Sequence, residues 1–306
     1  MEDFKPGYLK LYHSKELFKR IEILNQALSS CQLCPRRCKV NRQKDEKGIC
    51  KTGKLAYISS FGPHFGEEAP LVGTNGSGTI FFTHCNLGCI FCQNYDISHL
   101  GEGYPVEDEE LAEIMLKLKR MGCHNINFVT PTHVVAQILR ALPLAIEKGL
   151  DLPLVYNTGG YDLVSTLKFL DGVFDIYMPD FKYSDPEVAK KLSDAPDYPE
   201  VVKSALWEMH RQTGDLITDK KGVARRGLII RHLVLPENLA GTEEVMKFIS
   251  SEISKDSYVN VMNQYRPAYR AKDFPALNRR ITSQEYNDAL NMAKKHGLHR
   301  LDGYIQ

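Results

Sequence analysis

Seven of the eight cysteines fall into two short clusters, Cys31/Cys34/Cys38/Cys50 and Cys85/Cys89/Cys92, and only Cys123 stands alone. No other feature constrains the chain as much. Thiols packed this tightly along a sequence serve as metal ligands in a reducing compartment and as disulfides in an oxidising one. The N-terminus, Met1-Glu2-Asp3-Phe4-Lys5-Pro6, lacks a basic-then-apolar leader, and no run of 18 uninterrupted apolar residues follows it. The expectation is therefore a cytoplasmic protein whose clustered thiols hold metals, with Cys123 as a small buried residue. Lys plus Arg (39) balance Asp plus Glu (38) to leave +1. That excludes an overall field favouring nucleic acid, an anionic membrane or a polyacidic partner, so any partner is recognised by a local surface.

Residues 15–29 carry Leu17, Ile21, Leu24 and Leu28 at helical spacing, which predicts a docking helix. The segment from Cys31 to Cys50 is polar and basic without apolar periodicity, so a metal must order it. Its C-x2-C-x3-C-x11-C pattern offers four thiolates, enough to close a site. That fits a structural zinc or a fully ligated iron–sulfur cluster, and spacing alone leaves both open. Arg36 and Arg37 inside it either shield the charge of such a centre or solvate the loop.

Beyond a Gly-rich entry at 73–78, strand-like and helix-like segments alternate. Strands are predicted at 79–83, 125–129, 153–157, 174–178, 227–235 and 258–262; helices at 107–121, 133–148, 162–171, 197–213, 242–254 and 283–296. Alternation of this kind builds parallel strands with right-handed crossovers and gathers ligands at the strands' C-terminal ends. Six such strands predict an α/β fold, a partial (β/α)6 barrel open on one side. The expected division is a four-cysteine module with its helix at 1–60, the barrel at 61–270 and a helical extension at 271–306.

The second cluster, His84-Cys85-Asn86-Leu87-Gly88-Cys89-Ile90-Phe91-Cys92-Gln93-Asn94, sits on the loop leaving the first barrel strand. A four-iron four-sulfur cube needs four ligands, and three cysteines leave one iron open to a chelating substrate. Zinc would need a fourth ligand, for which His84 is badly placed because it shares a backbone link with Cys85. The C-x3-C-x2-C spacing, the aromatic Phe91 before the third cysteine and the strand–loop setting resemble the radical S-adenosylmethionine (SAM) superfamily over residues 75–265. That resemblance implies a 4Fe-4S cluster on Cys85, Cys89 and Cys92. It also implies SAM chelated at the open iron, and reductive cleavage to a 5′-deoxyadenosyl radical.

Cys92-Gln93-Asn94 and Asp180-Phe181-Lys182 are similar to the activases of glycyl radical enzymes, typified by the pyruvate formate-lyase activating enzyme. By that likeness Phe91, Asn94, Asn157, Thr158, Asp180, Lys182 and Arg231 are expected to contact SAM. Asp180 and Lys182, two apart at a strand end, alternatively form a structural ion pair. Arg231 in an apolar run is costly to bury unpaired and suits a carboxylate. Where activases carry Gly-Gly-Glu-Pro, this chain has Thr130-Pro131-Thr132-His133. Thr130, Thr132 or His133 would then accept from the SAM ammonium, while Thr132 also suits a helix N-cap. Gln264 and Tyr265 are expected to line the substrate opening, and His232 to be a satisfied surface or core histidine.

The resemblance implies a one-electron donor of flavodoxin or ferredoxin type and a monomer. The function is radical activation or modification of a protein; the alternatives are radical chemistry on a small molecule or peptide, or a SAM and iron–sulfur binding protein without turnover.

Overall fold

In the computed structural model, which describes residues 4–303, the strand-forming runs join into one ten-stranded sheet. The segments Met1–Asp3 and 304–306 lie outside the described residues. The strands are β1 (Ala56–His64), β2 (Ser77–Phe82), β3 (Tyr104–Val106), β4 (Ile126–Val129), β5 (Leu154–Thr158), β6 (Ile176–Pro179), β7 (Ile217–Thr218), β8 (Ala224–Leu233), β9 (Tyr258–Met262) and β10 (Arg300–Leu301). Their order is β10-β9-β8-β6-β5-β4-β2-β1-β3, with β7 against β8. Every neighbouring pair from β2 through β9 is parallel. These are the six strands expected from the alternation, in chain order. The order does not return to its start, so the sheet is an open, partial (β/α)6 barrel.

Helices Asp108–Arg120, Val135–Glu147 and Tyr198–Thr213 fill crossovers between these strands. Asp108–Arg120 begins on Asp108, Glu109 and Glu110 and ends on Lys117, Lys119 and Arg120, each set opposite in sign to its end of the helix dipole. The barrel interior is aromatic: Phe82 stacks on Phe128 at 6.2 Å, and Phe174 meets Tyr156 edge-on at 4.9 Å.

Two expected helices differ. The helix at 162–171 shrinks to Val164–Leu167 and a 3-10 turn, Lys168–Leu170, because the Asp162 carboxylate is turned inward and cannot open a helix. The helix at 242–254 is α only over Thr242–Phe248 and widens to a π turn at Ile249–Ile253.

The alternation gave no sign of β1, which forms an antiparallel hairpin with β2, nor of β3 beyond it. Gly62 and Pro63 lie inside β1 and read as breakers in a sequence. Helix Glu16–Ala27 packs on Val135–Glu147 with Leu17 and Leu24 buried. Helix Ser283–Lys295, opened by a Thr282/Glu285 capping box, leads into β10, which adds in parallel to β9. Among the described residues no helix is long and apolar enough to cross a membrane.

Candidate active site

The last residues of β2, β4, β5, β8 and β9, namely Phe82, Val129, Thr158, Leu233 and Met262, wall a single cavity with Asp180, the residue just past β6. A parallel barrel concentrates its site at this end. All three triad thiols, Cys85, Cys89 and Cys92, open into the same cavity. The loop carrying them turns at His84 (φ 65°) and Gly88 (φ 74°). Its shape is fixed from outside. The Arg36 guanidinium donates from Nε to Asn86 O (2.9 Å) and from Nη2 to Leu87 O (3.0 Å) and Ser193 O (2.9 Å), and its Nη1 to Asp194 O. Lys51 Nζ donates to His99 O (3.2 Å), and His99 Nε2 lies 2.9 Å from Cys89 O. Arg36, which also lines the four-cysteine pocket, thus does more than solvate its own loop: it ties the first cysteine module to the triad loop.

The donors around the triad suit thiolates. Ser98 Oγ donates to Cys92 Sγ (3.1 Å), and the Leu87 amide to Cys85 Sγ (3.4 Å). Burial pushes Cys85 up to about 12 and Cys92 upward, so bare thiols would stay protonated here. Cys85 and Cys92 become anionic here when a metal takes the sulfurs, and a cluster with one free iron fits the three-thiol donor set.

At the floor, Asp180 accepts from Lys182 Nζ (2.5 Å) and Arg231 Nε (2.8 Å), while Arg231 Nη2 donates to Asn157 Oδ1 (2.7 Å). Burial works against the Asp180 charge, yet Arg231 and Lys182 hold its pKa below the ordinary aspartate value. Burial likewise disfavours the Lys182 ammonium, and Asp180 beside it keeps the pKa above the usual lysine value. Two acids not anticipated from the sequence complete the network: Glu67 and Glu68 stand 3.9 and 4.0 Å from Arg231. Burial pushes Glu67 up to about 7 against the pull of Arg231. Arg231 thus lines the cavity with its fork already engaged, as the ion-pair alternative for Asp180 and Lys182 requires.

Thr130, Asn157, Thr158, Phe91 and Asn94 reach the cavity; Thr132 does not. Thr132 Oγ1 bonds Asp162 Oδ1 (2.8 Å) and meets Thr158 Oγ1 (3.0 Å), and the following helix is N-capped by Val134 without a side-chain bond. Neither role expected of Thr132 is realised, because buried Asp162 claims its hydroxyl together with those of Thr158 and Tyr156. His133 is buried against Thr83 O (2.9 Å), is pushed down to about 3 by burial and by Arg42, and lines the four-cysteine pocket instead of this cavity. Thr130 holds φ 60°, an uncommon strain for a β-branched residue, at the cavity wall. Gln264 lines the cavity, but Tyr265 is core: its hydroxyl donates to Leu277 O (2.7 Å) and its ring packs on Phe91. His232 is fully buried between Phe181 O and Thr242 Oγ1, and Cys123 is buried as expected.

A model of the radical SAM superfamily matches residues 79–249 of this chain. The chain belongs to that superfamily. An uncharacterized protein of Methanocaldococcus jannaschii is 37% identical over 308 residues, covering 97% of this chain and 82% of its own length. Radical SAM membership implies a 4Fe-4S cluster and SAM, and so an enzyme with radical chemistry.

Ahead of the radical SAM barrel, Cys31, Cys34, Cys38 and Cys50 line one small pocket with Arg42 and His133. Gly48 forms part of its wall; a Cβ there would stand 2.7 Å from Cys38 Sγ. Arg42, 1% exposed, donates to Gly53 O (3.1 Å) and His133 O (2.7 Å), and Nη1 lies 3.8 Å from Cys31 Sγ. Its Nη2 is buried without a protein partner. A buried cation with a spare donor is costly unless an anion faces it, and thiolates of this pocket, if they held a metal, would supply one.

Proposed function

We propose that this radical SAM enzyme modifies a segment of a protein partner, in the manner of the glycyl-radical activases it resembles. Cys85, Cys89 and Cys92 hold the cluster, and Thr130, Asn157, Thr158, Asp180, Lys182 and Arg231 frame SAM beside it. When bound and reduced, the cluster supplies the one electron that splits SAM into methionine and a 5′-deoxyadenosyl radical, which abstracts hydrogen from the substrate. The chain's residues do the positioning. Phe91, held edge-on by Tyr183 and Tyr265, braces the loop between Cys89 and Cys92. Lys182 keeps a positive charge whose field offsets part of the burial that disfavours the Cys92 thiolate. Phe82, Leu87, Leu233 and Met262 make the remaining wall apolar and shed water from a reactive radical.

One observation carries the choice of substrate: among the described residues, Asp180, Lys182 and Arg231 are the cavity's only charged lining residues, and they are paired with one another where they frame SAM. Beyond SAM a small ionic substrate would find no further charge, whereas the Asn94 amide and the side-chain carbonyls of Gln93 and Gln264 suit a peptide backbone. The four-cysteine module holds zinc or a second iron–sulfur cluster, the electron donor is of flavodoxin or ferredoxin type, and the enzyme acts as a cytoplasmic monomer.

The test is anaerobic turnover with SAM and a chemical reductant, adding extract from cells grown in deuterated medium. Deuterium in 5′-deoxyadenosine should come from the macromolecular fraction. Deuterium arising only from the low-molecular-weight filtrate would refute the protein-substrate reading.

A further inference from the structure

The four-cysteine module concentrates charge that the whole chain hides. Between Arg36 and Lys54 there are eight basic residues against two acidic ones, in a chain whose formal charge is +1. Six of the basic residues, Arg37, Lys39, Lys44, Lys47, Lys51 and Lys54, are exposed. This basic segment contributes Arg36 and Lys51 to a second cavity, of about 270 Å³, which shares Cys85, Leu87, Gly88 and Ser98 with the barrel-mouth cavity. Its walls include Cys50 of the module and Cys85 of the triad, together with Arg36, Lys51, His84 and His99. Ile49, on the cavity wall, stands uncovered at 57% exposure, and Leu100, next in the chain to the wall residue His99, at 61%.

An exposed apolar side chain on a surface where basic groups outnumber the acids, here Asp194 on the cavity wall and Asp45 and Glu46 in the module, is the anatomy of a small, transient docking site, in which charge steers the encounter and the apolar contact seats it. The cavity beneath places a cysteine of each set, Cys50 and Cys85, on one wall, so a carrier seated here faces both sets. From Cys31 to Lys54 there is no Phe, Tyr or Trp, so this surface lacks the stacking platform that single-stranded nucleic acid uses.

We propose that the module's basic face is the dock for a small acidic one-electron carrier protein. It delivers electrons through the cavity that Cys50 and Cys85 wall together. The inference rests on the radical SAM function above. The step balances as a single transfer: the carrier's reduced flavin or iron–sulfur group loses one electron and the cluster on the triad gains it, with no bond made or broken in the transfer.

The experiment is stopped-flow oxidation of two reduced probes, an acidic flavodoxin and an acidic [2Fe-2S] ferredoxin, by the reconstituted enzyme at low and high salt. Lys44→Glu/Lys47→Glu, both exposed and away from the thiols' own hydrogen bonds, should slow oxidation of the acidic carriers at least tenfold at low salt. The difference should vanish at 0.5 M salt. Ile49→Asp should slow it at both salts. The same variants should accept electrons from a small photoreduced deazaflavin at the wild-type rate and keep wild-type iron content.

Reversal of Lys10 and Lys19 on the far N-terminal helices should have no effect. Equal slowing by that control, unchanged rates in Lys44→Glu/Lys47→Glu, or failure of both carriers to reduce the wild type would overturn the dock. So would binding of single-stranded RNA that is lost on Lys44→Glu/Lys47→Glu while carrier oxidation is unchanged. Production of 5′-deoxyadenosine with deazaflavin keeps the enzymatic reading standing in each of these cases, and its absence with every reductant would sink that reading instead.

Discussion

Removing Arg36 should loosen the triad loop without touching a cysteine. Its guanidinium reaches four main-chain carbonyls, those of Asn86 and Leu87 between the first two triad cysteines and those of Ser193 and Asp194 at a helix end. A hydrogen bond from a charged donor contributes about 1.5–3 kcal/mol, and the lower figure is apt for a half-buried side chain. Counting only the two carbonyls inside the loop, Arg36→Ala costs about 3 kcal/mol locally. At 1.4 kcal/mol per tenfold, that is on the order of a hundredfold in the equilibrium between docked and open loop. Hydrogen exchange read by mass spectrometry on peptides spanning 84–93 should therefore accelerate by about that factor. Iron should also leave to a chelator faster than from wild type. Arg36→Lys, which cannot fork across the carbonyls, should fall in between. Loop exchange within threefold of wild type in Arg36→Ala, with the module's metal content intact, would refute the clamp.

Other expectations concern the floor, the wall and the module. Asp180→Asn leaves Lys182 and Arg231 short of a buried counter-charge and should destabilise the fold by about 3–5 kcal/mol, read from urea midpoints; a loss under 1 kcal/mol would mean Glu67 and Glu68 suffice. Thr130→Gly relieves the positive φ and should raise stability by about 1 kcal/mol while weakening SAM binding in calorimetry; a destabilised variant contradicts this. Gly48→Ala drives a Cβ to 2.7 Å from Cys38 Sγ and should lower the module's metal stoichiometry, measured as iron and zinc per chain; wild-type stoichiometry would speak against a metal at that pocket.

His232 is pushed down to about 4 by burial, so between pH 6.5 and 4 the unfolded chain takes a proton the native state refuses. Its contribution is intact above 6.5 and declines as pH falls, by up to about 1.4 kcal/mol per pH unit. Between pH 6 and 5 the wild type should lose about that much more stability than His232→Gln, and parallel curves would rule the assignment out.

The features legible in the sequence share one property: they sit at the ends of parallel strands, where side-chain direction follows from the strand itself. Asp180, Lys182, Arg231, Asn157 and Thr158 meet because β5, β6 and β8 are neighbours in chain order. Glu67 and Glu68 were not legible, because they come from the loop of a hairpin whose first strand contains Gly62 and Pro63 and does not look like a strand. The adjacent acids running into Ala69-Pro70-Leu71 were the available signal. The reading of Thr132 failed for a related reason. A threonine before a helix normally caps it, but Asp162, thirty residues on, competes for the hydroxyl and wins by burial. The reach of Arg36 depends on tertiary placement that no local pattern encodes.

A barrel left open exposes two sheet edges, and exposed edges invite other chains to pair. Here both are blunted. On one side the last strand is the three-residue β3, with Pro105 at its centre where a donor would otherwise be offered. On the other it is the two-residue β10, whose Arg300 lends its guanidinium to Asp256 O and Leu216 O. The gap that admits a bulky substrate thus offers an incoming strand almost nothing to extend, and the chain keeps a wide entrance without becoming a template for its own aggregation.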